Sequence, residues 1–300
     1  MLLTSTRNIR LSTKLSAIGV AFALPLLWLL YTNIDAVNYD IRFNQLEFEG
    51  DQYQKPLETL LEHVAAHGLL AARVARGESG LEGVLQGHTA AVAKGLRELQ
   101  QVQAVLGTDL QFTEEGLRIR DRSHLTVPRI TAKWDAILQA RSKDPAAVLQ
   151  AHDDLVTDVL GMIAHSGDTS NLILDPDLDS YYMMDITLLA LPQTQARLGR
   201  ILAFGDEVLR RGGLTEAERR AFNSYAALLQ DSDLNRVLGS TATSLNEDAN
   251  FLGPSPTLTA KIPPALEAYK QPNEAFIALL LQIADAPEGS VSAARFRELG

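Results

Sequence analysis

Asp175, Asp177 and Asp179 stand at alternate positions in the segment NLILDPDLDSYYMMD (171–185), with Tyr181 and Tyr182 following at once. Alternating carboxylates open a calcium loop of the EF-hand type. Such a loop needs Gly at its sixth position and Glu at its twelfth, and here those positions are Ser180 and Ile186. The metal reading therefore lacks its ligand set, and no metal is expected. Two tyrosines beside carboxylates can also hold a cationic or hydroxylated small molecule. Asp177, Asp179, Tyr181 and Tyr182 are the candidate ligand-binding residues. The same carboxylates also have a structural reading. Asp175 suits a helix N-cap, Pro176 suits the first helical position, and Asp177 and Asp179 then fall where the helix dipole favours anions.

The histidines offer little else. His63 and His67 lie one helical turn apart, a spacing able to grip a metal, but Val64 stands where a zinc peptidase needs Glu. His67 falls on an apolar stripe and reads as a hydrogen-bonded core residue. His88, His124, His152 and His165 accompany no Ser or Cys in a nucleophile setting. No glycine loop is present to cradle phosphate, so neither cofactor nor catalytic residue is expected. The absence of cysteine rules out disulfides, thiolate chemistry and Cys-based zinc sites.

The elements that carry these residues are helices. Leu57, Leu60, Leu61, Val64, His67, Ala71 and Val74 recur at three- and four-residue steps, as do Val148, His152, Leu155, Val159, Met162 and Ile163. Asp144-Pro145, Asp175-Pro176 and Ser255-Pro256 read as helix starts. Gly212-Gly213 reads as a stop, and Thr215 with Glu218 as a capping box. The spacing predicts helices at about 15–76, 80–106, 124–141, 145–172, 177–211, 215–251, 257–285 and from 291 onward, with 107–123 as a loop. Long helices with short turns pack as an antiparallel, four-helix-bundle-like domain.

Ahead of that bundle lies LSAIGVAFALPLLWLLYTNI (15–34), 20 residues without a charge. That length of helix crosses a hydrocarbon core. Arg7, Arg10 and Lys14 precede it, and Asp35, Asp40, Glu47, Glu49 and Asp51 follow it. This asymmetry predicts a cytoplasmic tail (1–14), a transmembrane helix (15–34) and an extracytoplasmic domain (35–300) in the inner (plasma) membrane. Trp28 and Tyr31 suit the outer interface, and the bilayer is the first expected partner. Net charge is −10, of which the first 34 residues supply +3, leaving −13 beyond. An acidic exterior argues against nucleic acid as a partner, and against lying on anionic lipid.

Two stretches, NQLEFEGDQYQKPLETLLEHVAAHGLL (44–70) and HSGDTSNLILDPDLDSYYMMD (165–185), carry a likeness. With the anchor, they resemble the extracytoplasmic sensor region of bacterial transmembrane receptors, namely sensor histidine kinases and methyl-accepting chemotaxis proteins. The arginine that follows the second His in that family is Gly68 here. The resemblance implies an all-helical input domain, a homodimer, a small-molecule or protein signal, and a second membrane helix followed by a HAMP relay and an output module. Those later parts lie outside 1–300, which reads as an input region truncated before its second span. A sensor histidine kinase is the favoured output, with a chemotaxis receptor or a membrane-anchored helical adaptor as the alternatives.

Overall fold

The computed structural model describes residues 10–250, 253–285 and 292–300. Arg7, the end of the helix expected through 251 and the start of the one expected from 291 lie outside the described residues. The chain divides into two units, Met1–Gln45 and Leu46–Gly300. No strand occurs among the described residues.

The first helix, α1, spans Leu11–Ala75. Within the first unit its apolar side chains point outward on all sides. Leu15, Phe22, Leu26 and Trp28 are each 60% exposed or more. It is the one described helix long and apolar enough to cross a membrane. A helix apolar all round, with nothing of its own chain to cover it, suits hydrocarbon rather than water.

In the second unit, α1 becomes one-sided. Tyr53, Leu57, Leu60, Leu61 and Val64 are buried and begin a core shared with four helices. These are α2 (Glu82–Leu106), α3 (Glu114–Ile119), α4 (Val127–Ala140) and α5 (Pro145–Thr169). Val92, Leu99, Leu117, Ile130, Trp134, Leu155, Val159 and Met162 extend it, and Met184, Leu188 and Ala196 from later in the chain join it. Full burial of each such side chain contributes about 1.5–3 kcal/mol. The stretch 107–123 is mostly the loop its composition predicts, but it holds one short helix. Thr113 Oγ1 accepts from Gly116 N at 3.1 Å and starts the short helix α3, whose Leu117 reaches the core.

A second core gathers Ile201 and Val208 of α7 (Leu191–Arg211) with Phe222 of α8 (Glu216–Leu228). Phe276 and Leu280 of α10 (Pro256–Asp285) and Phe296 of α11 (Ala293–Leu299) close it. α6 (Leu178–Met184) contributes Met184 to the first core, and α9 (Asn235–Glu247) follows α8. Wide π-helical turns of six residues join α6 to α7 over Asp185–Ala190 and α8 to α9 over Leu229–Leu234.

The local start signals mostly act as expected. Asp144 Oδ1 accepts from Ala146 N at 3.0 Å, Ser255 Oγ accepts from Leu258 N at 3.3 Å, and Thr215 and Glu218 form the reciprocal capping box. The exception is Asp175-Pro176. Asp175 does not cap a helix, and Pro176 does not open one. A residue before proline is pushed to extended backbone, and Asp175 takes ψ 119° accordingly. Its Oδ1 accepts from Asp177 N at 3.0 Å in a side-chain turn. Asp177 is itself extended at ψ 124°, so α6 begins only at Leu178.

Candidate functional site

The two family-like stretches lie far apart in sequence and pack against each other at one junction in the second unit. Gly50 of α1 meets the end of α5 at backbone distance. A Cβ on Gly50 would sit 2.4 Å from both Cβ and Oγ of Ser170, well inside contact. Ser166 Oγ, fully buried, donates to Gly50 O at 3.3 Å.

One turn further along α1, Gln54 completes a bond that the helix itself cannot make. In the wide turn at 185–190, the Leu191 amide bonds to Ile186 O. The next residue is Pro192, which has no N–H to give. Thr187 O is thereby left without a donor from its own helix. Buried Gln54 supplies it, Nε2 to Thr187 O at 2.9 Å, while also donating to Glu58 at 2.8 Å. A buried carbonyl without a partner is costly, so this bond fixes the register between α1 and the turn.

Carboxylates ring the junction. Burial above all, helped by the neighbouring Asp175 and Asp177 carboxylates, pushes the Glu47 carboxyl up to about 7. Glu47 Oε1 is buried with no hydrogen-bond partner among the described residues. The group therefore changes charge near neutral pH. No cluster of three or more metal-ligating side chains is present among the described residues.

The four residues singled out as ligand-binding divide. Asp177 faces Glu47 electrostatically. Asp179 Oδ1 accepts from Ser180 N at 2.8 Å. Tyr181 and Tyr182 pack edge to face at 5.4 Å. The cation beside Tyr181 is the protein's own. Arg236 of α9 holds Asp185 through two bonds, at 3.1 and 2.5 Å, and Ser240 adds a third at 3.2 Å. Asp185 and Arg236, 51 positions apart, carried no sequence signal beyond Asp185's place in the likeness.

A second polar centre lies inside the first core. His152 Nδ1 is 2.7 Å from Val148 O, and a carbonyl only accepts, so Nδ1 carries the proton. His152 Nε2 then accepts from His67 Nδ1 at 2.8 Å. The His67 ring abuts Trp134 edge-on at 4.8 Å. Burial lowers His67 to about 4, with His152 and His88 adding to the shift. His67 is thus the hydrogen-bonded core residue its stripe predicts. Gly68 is what admits this pair. A Cβ there would lie 2.8 Å from His152 Cβ and Cγ, so position 68 has no room for a side chain.

Two measurements check the junction. Gly50→Ala should destabilise the protein by about 1–3 kcal/mol in denaturant unfolding. Ser170→Gly should recover part of that loss in the double variant, because it removes both clashing atoms; additive effects would separate Gly50 from Ser170. For Glu47, a folded pKa raised from 4.5 to about 7 means that the folded state holds the proton longer than the unfolded one. Its contribution therefore falls as pH rises from below 4.5 to above 7. Unfolding followed across that window should show wild type losing stability relative to Glu47→Gln as pH rises. An unchanged difference would place Glu47 in water.

Comparisons with family models, with curated proteins and with solved structures give no match.

Proposed function

We propose that this chain is the extracytoplasmic input region of a bacterial transmembrane signalling receptor, favouring a two-component sensor histidine kinase over a chemotaxis receptor. The observation that carries the reading is the composition of α1. Leu11–Ala75 is a single helical element that contains both the candidate membrane segment and the residues that start the first core. A helix of that kind is the means by which a packing change in a bundle reaches a bilayer. The interlocked stretches at Gly50, Ser166 and Ser170 add support, because they bring the two likeness-bearing segments to one place on that helix.

In this reading the N-terminus is cytoplasmic, as the Arg10 and Lys14 charges favour, and the acidic remainder is periplasmic. The helices of the second unit run antiparallel, as short connections such as Arg76–Leu81 and Arg141–Asp144 require of neighbours. The receptor is a homodimer paired along α1. Ile34, Val37 and Ile41 follow a three-then-four spacing, and each is more than half exposed. That spacing places them on one face, where a second copy of the helix would cover them.

The natural absence of cysteine makes the pairing directly testable. Single variants Val37→Cys and Ile41→Cys in membranes should form disulfide-linked dimers under mild oxidation, seen on a non-reducing gel. Tyr39→Cys, about 200° around the helix from Val37, should not. Equal crosslinking at all three positions, or none at any, would contradict a dimer seam on this face and favour a monomeric adaptor.

A further inference from the structure

We infer that the cleft lined by the end of α1, α2, α4 and α5, open to solvent on one side, is a binding site for a small organic carboxylate with an apolar body. The inference does not rest on the signalling role proposed above. The cavity measures about 1000 Å³, at the upper end of what small-molecule sites occupy. Its walls are apolar side chains from four helices, Val74, Leu85, Ile137 and Val148 among them.

Charge sets the class of ligand. The chain carries a net −10, yet no carboxylate lines this cavity. Arg141 and Lys143 do line it, and neither makes an ion pair among the described residues. Asp144, next in sequence, directs its carboxylate to the Ala146 amide at 3.0 Å. Arg76 is matched by Asp206 at 2.9 Å and Arg200 by Asp153 at 2.6 Å, whereas the exposed Arg97 and Arg129, like Arg141, make no ion pair among the described residues. Two unmatched cations on an apolar cavity suit an anion attached to a hydrophobic group.

The backbone at Arg141 is itself unusual. Arg141 ends α4 at φ 40° and ψ 42°, a left-handed conformation that glycine adopts without strain and arginine does not. Such positions persist when the surroundings or a function demand them. Inside the cavity, His67 and His152 supply the remaining polarity. With His67 Nδ1 donating to His152, its Nε2 is left as an acceptor that a hydroxyl or N–H on the ligand's body can reach. Neutral histidines bring no charge of their own, so the acid group belongs with Arg141 and Lys143 at the rim.

Trp134 gives the readout. The chain has two tryptophans, so Trp28→Phe leaves Trp134, edge-on to His67, as the sole reporter. The full chain in lipid nanodiscs is titrated with 4-phenylbutyrate, 4-phenylbutylamine and 4-phenylbutanol up to about 10 mM. The carboxylate should give a saturable change in Trp134 emission, and the amine none. Arg141→Ala with Lys143→Ala, both exposed and remote from the core, should weaken that response at least about tenfold with the circular dichroism unchanged. Ala71→Phe, which narrows the cavity without touching either cation, should abolish it. No saturable response to the carboxylate, equal responses to acid and amine, or indifference to the double variant would each overturn the assignment.

Discussion

A backbone in hydrocarbon finds no water to bond, so a segment that crosses a bilayer must satisfy every N–H and C=O within its own helix. In the proposed reading that requirement falls on α1, a helix that also starts the first core. The 20 uncharged residues from Leu15 to Ile34 meet the first demand by being apolar on all faces. Tyr53, Leu57, Leu60, Leu61 and Val64 meet the second by being apolar on one. No other described helix combines the two patterns. The other helices of the first core pack around the second half of α1.

The junction near Gly50 shows how one proline shapes a contact between helices. Pro192 withholds an amide, the chain widens its turn over Asp185–Ala190, and Thr187 O needs a donor from elsewhere. Gln54 provides it, and Gly50, one turn earlier, allows α5 to come close enough. Glu47 sits a turn earlier still, with a carboxyl that changes charge near neutral pH. Electrostatics, backbone hydrogen bonding and close packing thus meet within two turns of α1. A perturbation there acts on register and charge together.

What the sequence disclosed was local. Asp144 with Pro145, and Thr215 with Glu218, act within four residues, so their geometry was legible from spacing alone. Asp175 misled because the same proline that suits a helix start also forces its predecessor into extended backbone, and the helix yields two residues. The short helix at Glu114–Ile119 hid in a glycine-containing, charged stretch because one capping threonine and one buried leucine suffice for it. The pairings that build the sites were not legible. His67 with His152, Gln54 with Thr187 and Asp185 with Arg236 are 85, 133 and 51 residues apart. Nothing in a periodic pattern says which helix face meets which. Arg141 and Lys143 carry no motif; their meaning comes from an apolar space that only packing creates.

The central claim is that α1 crosses the membrane with its N-terminus inside and the folded unit outside. Cysteine labelling in intact cells tests it most directly, since the chain has no cysteine to confuse the result. Phe48→Cys offers a side-chain position that is 63% exposed beside the first core, and Ser5→Cys a position in the basic tail. The account predicts that a membrane-impermeant maleimide labels position 48 in intact cells and position 5 only after permeabilisation. Labelling of position 5 first, or of both positions alike without permeabilisation, would contradict it.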